Sequence, residues 1–438
     1  MSMRKGEVRQ NVLALGADFV LFMLGYTFFD PFVVVPAFVK EFTGSDLMVG
    51  VLAALRVLTI SLPQLWAASV LVARPRMRPL LVVSSIGGRL PVALLAVATL
   101  LWAARLPWLV VGLLGVAVAL FFTSEGLNGV TWPALVGKVI PEEIRGRFLG
   151  LGQLGSSLAA IGAGYAVRAV LGRGDWPVPQ RWAVLYGCGF VGMMLSVGSM
   201  FFIRERPQAV ASSKVDVKAS VTAVVGFLRT TPWLRRFVAT QMVLGTAAAT
   251  FSFFVVRART LIPGGDQLLG LFVILQNLGG AAAALICGQL IDRVGSWLAI
   301  RVVTCVQIAA LATVLLGGLL GAPKAFYLVA FLLLGFVGGS SWWSLSAYLL
   351  DMAADERRPI YLAASGVLNS PTFLSSILVG AVYEYVTPEV VFAAALALSV
   401  VAAALAWSLP RHRPEDPPGI GAEGGLPPAR GDAVAQEQ

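Results

Sequence analysis

The chain has 438 residues, of which 58% are hydrophobic and only 13% charged, and its mean hydropathy is +0.82. Soluble domains average about 45–50% apolar and about 25% charged residues, so this chain has too few polar residues to cover a water-facing surface. It is expected to be a membrane protein. Apolar runs of more than about 20 residues also exclude an outer-membrane β-barrel, whose strands are short and alternate in hydrophobicity.

The remaining composition excludes several kinds of partner and cofactor. Cys188, Cys287 and Cys305 lie inside apolar runs without paired spacing, and the single histidine, His412, lies in a polar tail. Neither a disulfide framework nor a metal or haem site is expected, and no cofactor is predicted. The net charge of +10 comes from lysines and arginines scattered at the ends of apolar runs, which favours anchoring at a membrane surface over binding of nucleic acid.

Twelve apolar runs of the length needed to cross a bilayer follow one another along the chain. They are Asn11 to Glu41, Asp46 to Ala73, Pro79 to Ala103, Pro107 to Val136, Phe148 to Leu171, Trp182 to Ile203, Trp233 to Val256, Gln267 to Ile291, Trp297 to Leu320, Ala325 to Leu350, Tyr361 to Val386 and Val390 to Leu409. The sequence therefore predicts an all-α polytopic membrane protein with 12 transmembrane helices.

The positive charges test this count. With twelve crossings, 23 of the 33 lysines and arginines fall on the side of the termini and 8 on the other, while Arg56 and Arg89 lie within spans. Since cytoplasmic loops carry the excess of basic residues, both termini are expected in the cytoplasm of a multi-pass protein of the inner membrane.

The longest internal polar stretch divides the chain into two six-helix bundles, at residues 11–203 and 232–409. The linker between them, residues 204–231, contains Val217, Val221, Val224 and Leu228 at helical spacing, which predicts an amphipathic segment on the cytoplasmic membrane surface. Residues 1–10 form a cytoplasmic N-terminus, and residues 410–438, rich in Pro, Gly and charge, a disordered cytoplasmic tail.

The two bundles repeat one another. Asp46 and Gly50 at the start of the second run correspond to Asp266 and Gly270 at the start of the eighth, and Trp132 of the fourth corresponds to Trp343 of the tenth. Two repeats in the same orientation indicate a substrate site near the membrane midplane, between two halves that rock against each other.

A loop between the eighth and ninth runs carries a recognisable motif. Gly288, Asp292, Arg293 and Gly295 follow the spacing Gly-x-x-x-Asp-Arg-x-Gly. Over residues 11 to 409 the chain resembles the major facilitator superfamily, whose loop motif this is. The resemblance implies alternating access and a place for this loop in the cytoplasmic gate. There an Asp at a helix boundary can accept N–H bonds from the next helix, and an adjacent Arg can form an ion pair across the gate.

Four charged residues lie well inside the spans, where an ionisable group costs at least about 2.5–3.5 kcal/mol. They are Asp30, Arg56, Arg89 and Glu125, all in the first half. Distances along the hairpins predict two ion pairs, Asp30 with Arg56 and Arg89 with Glu125. Three roles are open: coupling of transport to protons through Asp30 or Glu125, permanent ion pairs between helices, and direct contact with a charged substrate.

Polar residues at helical spacing indicate the wall of a cavity. The candidates for contact with a substrate are Tyr26, Asn128, Gln241, Gln276, Asn277, Trp343 and Asn369. Charged groups of one half would then face neutral hydrogen-bonding groups of the other, an arrangement that suits a small polar or amphiphilic organic molecule. Small polar residues can alternatively hold transmembrane helices together.

These observations predict a secondary active transporter, not an enzyme, that moves a small organic solute by alternating access with coupling to protons. Its expected partners are the solute, protons and membrane lipids, and a monomer is expected. ATP-driven transport is disfavoured because the chain has no Gly-x-x-x-x-Gly-Lys-Ser/Thr loop. Two other classes are open: a non-transporting sensor or receptor on a transporter scaffold, and a membrane enzyme acting on lipid-linked substrates.

Overall fold

The computed structural model describes residues 5–72, 74–207, 228, 231–352 and 368–411. Its long helices are α1 Lys5–Thr27, α2 Val34–Thr43, α3 Asp46–Val72, α4 Arg78–Trp102, α5 Pro107–Val139, α6 Glu142–Leu171, α7 Val178–Met200, α8 Pro232–Ala248, α9 Ser252–Leu261, α10 Leu269–Arg293, α11 Ser296–Leu319, α12 Pro323–Met352, α13 Phe373–Tyr383 and α14 Pro388–Trp407. Short 3-10 turns lie at Ala249–Phe251, Gly265–Leu268 and Ser370–Thr372.

The helices account for the twelve predicted spans. Eleven are long and apolar enough to cross a membrane, when α8 and α9 are taken together as Pro232–Leu261. The remaining predicted span, the eleventh in chain order, corresponds to the shorter apolar helix Ser370–Tyr383. It is shorter because the structure describes this part of the chain only from residue 368. The predicted all-α architecture of a multi-pass membrane protein is confirmed.

The first span is not one continuous helix, contrary to the single run predicted from Asn11 to Glu41. Helix α1 ends at Thr27 and α2 begins at Val34, with a turn between them that contains Asp30 and Pro31. Proline disfavours helical geometry in the residue before it, so the Asp30–Pro31 pair ends one helix and starts the next. The Asp30–Pro31 pair in the sequence was therefore sufficient to predict a break in this span.

Two sets of helices form the molecule. Helices α1 to α7 pack among themselves, as do α8 to α14, and the two sets meet mainly where α3 packs on α13 and α6 packs on α10. Glycines permit both of these approaches. A Cβ at Gly50 would lie 2.8 Å from the Cα of Gly380, and one at Gly164 would lie 3.0 Å from the carbonyl oxygen of Gly270.

We call the two ends of the molecule the terminal face and the opposite face. The terminal face carries the turns at residues 74–77, 140–141 and 294–295 and the described ends of the chain, and the opposite face carries the turns at 44–45, 103–106 and 384–387. The predicted amphipathic segment around Val217, Val221 and Val224 lies outside the described residues, as do residues 1–4 and 412–438.

Two adjacent glycines on α4 provide a test of this packing. A Cβ at Gly88 would lie 2.5 Å from the Cβ of Ser124 on α5, whereas a Cβ at Gly87 meets nothing within 4 Å. We expect Gly88→Ala to destabilise the protein by roughly 1–3 kcal/mol, because overpacking forces the backbones apart. Gly87→Ala should leave the melting temperature unchanged or slightly higher, since alanine is the better helix former. Thermal unfolding of the two purified variants measures the difference, and equal melting temperatures would contradict the close approach of α4 and α5.

Candidate functional site

Three adjoining cavities lie between the two sets of helices. A central cavity of about 380 Å³ is lined by residues of both sets, among them Asp30, Arg56 and Gln276. A second-half pocket of about 260 Å³ shares Arg56 and Trp342 with it, and a first-half pocket of about 250 Å³ shares Trp342 and Trp343. Because neighbouring cavities share their walls, we treat them as one polar chamber.

All the residues predicted to contact a substrate lie on the walls of this chamber. Tyr26, Gln276, Asn277 and Trp343 line the central cavity, Gln241 and Asn369 the second-half pocket, and Asn128 and Trp343 the first-half pocket. The four charged candidates line it too. Asp30 and Arg56 lie in the central cavity, and Arg89 and Glu125 lie in the first-half pocket.

Asp30 occupies the break in the first span and uses both of its carboxylate oxygens there. Its Oδ1 accepts hydrogen bonds from the backbone N–H groups of Phe32 at 2.9 Å and Val33 at 2.7 Å. These are orphan donors at the start of α2 that would otherwise be unsatisfied. Its Oδ2 accepts a hydrogen bond of 2.9 Å from the Nε2 of Gln276 on α10. Asp30 therefore caps a half-helix of one half and joins it to the other half.

The predicted ion pair between Asp30 and Arg56 does not form. The two side chains share the central cavity, but they are not among the ion pairs with an N–O distance within 4.0 Å. The guanidinium of Arg56 instead lies over the ring of Phe32, 4.5 Å from its centroid, in a cation–π contact. The two residues lie in one cavity, as their equal distance from the predicted turn suggested. They do not form an ion pair, because the carboxylate of Asp30 caps α2 instead.

The predicted pair of Arg89 and Glu125 is also absent as a direct contact. Arg89, only 2% exposed, donates hydrogen bonds from Nη1 to the carbonyl oxygen of Met193 at 2.7 Å and to the hydroxyl of Ser196 at 3.2 Å, both on α7. Oε1 of Glu125 accepts a hydrogen bond of 3.2 Å from Asn128. Nη1 of Arg89 is thus bound to α7, whereas its buried Nε donates no hydrogen bond to a described residue.

Asp18 completes this network, although it was not among the candidate site residues. Its Oδ1 accepts a hydrogen bond of 2.5 Å from Ser196, and its Oδ2 accepts one of 2.8 Å from the indole N–H of Trp132. Ser196 connects Asp18 to Arg89. The signal in the sequence was available, since Asp18 lies within the first apolar run and Trp132 shares a helical face with Glu125 and Asn128.

The wall contributed by the second half is polar but uncharged. Within the part of the chain that the structure describes, buried side-chain oxygens that accept no hydrogen bond include Oε1 of Gln276, Oε1 of Gln307 and Oδ1 of Asn369. Each of these residues lines the central cavity or the second-half pocket. A buried polar atom without a partner is costly, so a hydrogen-bond donor that reached these oxygens from the chamber would lower the cost of burying them.

Contacts between the two halves close the chamber at the opposite face. Glu41 at the end of α2 forms an ion pair with Arg259 of α9, which also donates a hydrogen bond of 2.8 Å to the carbonyl oxygen of Ala37. Oε1 of Glu384, in the loop after α13, accepts hydrogen bonds of 3.1 Å each from the backbone N–H groups of Asp46 and Leu47. We call these contacts the opposite-face latch.

The chamber is open toward the terminal face. Trp342 and Trp343, on the half of α12 nearer that face, are 51% and 61% exposed, although they line the chamber. Because the two side chains line the cavities and are also exposed, we infer that the chamber opens near them, toward the terminal face. The structure therefore represents a conformation that is closed on one side and open on the other.

The loop motif has the expected position but not all of the expected contacts. Gly295 adopts a φ of +120° at the start of α11, which favours glycine, and its N–H donates a hydrogen bond of 3.0 Å to the carbonyl oxygen of Leu290. A Cβ at Gly288 would meet nothing within 4 Å, so no close packing requires glycine there.

The two charged residues of the motif, Asp292 and Arg293, are exposed at the end of α10. The side chain that engages the start of α11 is Asp351, which accepts a hydrogen bond of 2.5 Å from the Ser296 hydroxyl. Among the described residues Asp292 accepts no N–H bond from α11, and the start of that helix is instead bound through the Ser296 hydroxyl to Asp351 at the end of α12; the part of the motif in gating stays a prediction.

The fold and chamber define a polytopic helical membrane protein with a polar cavity between two halves that are joined at one face. Residues 17–371 match the family model described as Major Facilitator Superfamily. The chain belongs to this superfamily, whose members are transporters. A search of curated proteins finds no match to this sequence.

Solved structures of transporters share the fold. The xylose transporter XylE from E. coli, in a partially occluded inward-open conformation, is 13% identical, with a TM-score of 0.68 over 91% of this chain and 98% of that chain. The nucleoside transporter NupG is 13% identical, with a TM-score of 0.66 over 91% and 99%. The human organic anion transporter MFSD10 is 14% identical, with a TM-score of 0.58 over 91% and 99%. At these identities the likeness concerns the fold alone.

The opposite-face latch predicts a pH dependence of the conformation. Backbone N–H donation from Leu47, helped by Ser45, Asp46 and Lys40, lowers the pKa of Glu384 below its usual value. A lowered pKa means that the contacts of Glu384 in the latch are fully formed above the usual pKa of about 4.3 and are lost as the pH falls through the lowered value. Spin labels at two exposed residues of the opposite face, Arg105 in a loop of the first half and Lys324 in the first turn of α12 in the second half, should report a single short distance at pH 7.

Removal of the carboxylate should reproduce the effect of acid. We expect Glu384→Ala to add a longer-distance population at pH 7, whereas Tyr385→Ala, at an adjacent side chain that is 86% exposed, should leave the distance distribution unchanged. A distribution for Glu384→Ala that matches the unsubstituted protein at pH 7 would show that the latch does not hold the halves together.

Proposed function

We propose that this protein is a secondary active transporter that moves a small organic solute across the cytoplasmic membrane by alternating access, with coupling to protons. The observation that carries the proposal is the polar chamber itself, latched at the opposite face and accessible from the terminal face. A site between two halves of one chain can be exposed to each side in turn, if the halves rock about it.

The orientation follows from the distribution of basic residues. Since twelve predicted crossings put 23 of the 33 lysines and arginines on the side of the termini, we assign the terminal face to the cytoplasm. The conformation is then inward-facing, with the latch on the outer side. The predicted division into bundles at residues 11–203 and 232–409 is consistent with the way in which the two sets of helices pack.

Three acids in the chamber are candidates for proton coupling, and they differ in what they bind. Asp18 and Asp30 accept hydrogen bonds at both carboxylate oxygens. Glu125 accepts its one hydrogen bond at Oε1, from Asn128, and among the described residues nothing donates to its Oε2. A group that exchanges protons with the chamber needs an accessible oxygen, so we assign the proton carrier to Glu125 in preference to Asp30.

Asp30 has a different part in this proposal. Its hydrogen bond to Gln276 joins the two halves across the chamber, so any change at Asp30 alters the contact between them. We assign to Asp30 the positioning of α2 and the coupling of the two halves. This assignment replaces the role as proton carrier that its depth in the first span suggested.

Transport and its coupling can be tested in proteoliposomes. The protein is first screened by thermal shift against sugars, amino acids, nucleosides, organic acids and organic cations, and each stabilising compound is tested for counterflow. We expect Glu125→Gln to retain counterflow but to lose at least tenfold of the uphill uptake driven by a pH gradient, because the amide preserves the shape and cannot carry a proton. Asp175→Asn, in an exposed loop, should behave like the unsubstituted protein.

The same assay separates the alternatives. Uphill uptake by Glu125→Gln at the unsubstituted rate would contradict the assignment of the proton carrier, and uptake by Asp30→Asn without change would remove Asp30 from the mechanism. Specific binding of a compound without counterflow in any gradient would instead favour the non-transporting receptor. No counterflow with any stabilising compound would overturn the proposal of a transporter.

A further inference from the structure

Arg56 is a membrane-embedded cation for which the described residues supply no acceptor. Its guanidinium lies over the Phe32 ring and faces both the central cavity and the second-half pocket. No hydrogen bond from Arg56 to a described residue is formed, and no carboxylate lies within 4.0 Å of it. Placing an arginine at membrane depth is costly unless it meets a partner or a water-filled cavity. We propose that Arg56 binds the carboxylate of a small monocarboxylate solute that also carries a hydroxyl or N–H donor.

The nearest acid, Asp30, is not an ion-pair partner of Arg56 in this conformation. Both oxygens of Asp30 already accept hydrogen bonds, from the start of α2 and from Gln276. Turning the carboxylate toward Arg56 would leave the N–H groups of Phe32 and Val33 unsatisfied. The fork of guanidinium donors therefore stays available, and its planar geometry matches a carboxylate, which it can bind through two parallel hydrogen bonds.

The charged side chains around Arg56 favour a solute with one negative charge over a solute with two. The second cation of the chamber, Arg89, lines the first-half pocket, whereas Arg56 lines the central cavity and the second-half pocket, so the two arginines do not share a pocket. Asp30 shares the central cavity and would repel further negative charge. A phosphate monoester, with about two negative charges at neutral pH, would therefore be poorly balanced by Arg56 alone.

The wall contributed by the second half indicates which other groups the solute carries. Asn369 and Gln307 line the second-half pocket together with Arg56, and their buried amide oxygens accept no hydrogen bond from a described residue. These oxygens call for a donor on the solute. Phe251 and Trp342 line the same pocket and suit an apolar or aromatic body, since pockets of this kind combine apolar walls with a few placed polar groups.

Matched pairs of carboxylates and neutral amides test the inference on the full-length protein in detergent. The probes are mandelate with mandelamide, 4-hydroxybenzoate with 4-hydroxybenzamide, and lactate with lactamide, with phenyl phosphate as the dianion and phenylacetate as the acid without a donor. Affinity is measured by titration of intrinsic tryptophan fluorescence and by thermal shift. We expect at least one hydroxylated carboxylate to bind at least tenfold more tightly than its amide and than phenyl phosphate, and more tightly than phenylacetate.

Variants then place the bound carboxylate at Arg56. Arg56→Gln should weaken binding of that carboxylate at least tenfold, which is about 1.4 kcal/mol, and abolish its preference over the amide. Arg56→Lys should recover part of the preference, because it keeps the charge without the fork. Arg105→Gln, which removes an exposed arginine of a loop at the opposite face, should bind like the unsubstituted protein. The melting temperature without ligand shows that each variant is folded.

The inference rests on the proposed function, because it takes the chamber as the site of the solute, and the two can fail separately. Binding of a carboxylate through Arg56 without counterflow in liposomes would overturn transport and leave the site in place. Counterflow of a neutral or cationic solute that is unaffected by Arg56→Gln would support transport and overturn the carboxylate site. Equal binding of every carboxylate and its amide, or no binding of any of the carboxylates, would also overturn the inference.

Discussion

The cost of placing an ionisable side chain in hydrocarbon governs this structure. Asp18, Asp30, Arg56, Arg89 and Glu125 all lie in segments that cross the membrane, and each is on the wall of the chamber between the two halves. A chamber that water can enter allows these side chains to remain charged, whereas a closely packed apolar interface of the same helices would not. The opening between the halves is therefore a condition for the stability of the charged first half as well as for access of a solute.

Asp30 shows how one carboxylate connects local structure to the relation between the halves. Pro31 disfavours a continuous helix, the break exposes backbone N–H groups, and Asp30 satisfies them with one oxygen while its other oxygen binds Gln276 of the second half. Movement of the halves must change that second contact and need not change the first. If the halves rock as proposed, Asp30 stays bound to the start of α2 while its hydrogen bond to Gln276 breaks and re-forms.

Periodicity and charge were sufficient to predict the all-helical, multi-pass architecture, because it depends on hydrophobic length and on the avoidance of charge in lipid. The residues predicted to contact a solute line the cavities, and their role in binding stays a prediction. Periodicity and charge were not sufficient for the contacts. Asp30 with Arg56 and Arg89 with Glu125 were matched by depth alone, whereas in the structure backbone groups compete for the same side chains: the start of α2 engages Asp30, and the Met193 carbonyl engages Arg89. Opposite charges at equal depth do not imply an ion pair where orphan backbone groups lie closer.

The distribution of charge between the halves separates two tasks. The first half supplies the five charged side chains on the chamber wall, and the second supplies amides such as Gln276, Gln307 and Asn369, whose oxygens have no donor among the described residues. A solute bound between the halves would form an ion pair with the first half and hydrogen bonds with the second. If it binds Arg56 as an anion, uptake of one proton at Glu125 leaves the total charge of the chamber unchanged, so the movement of the halves would carry no additional charge through the low-dielectric part of the membrane. Anion binding at one pocket and proton binding at the adjoining pocket would then be coupled through the electrostatic cost of an unbalanced chamber, without direct contact between the two groups.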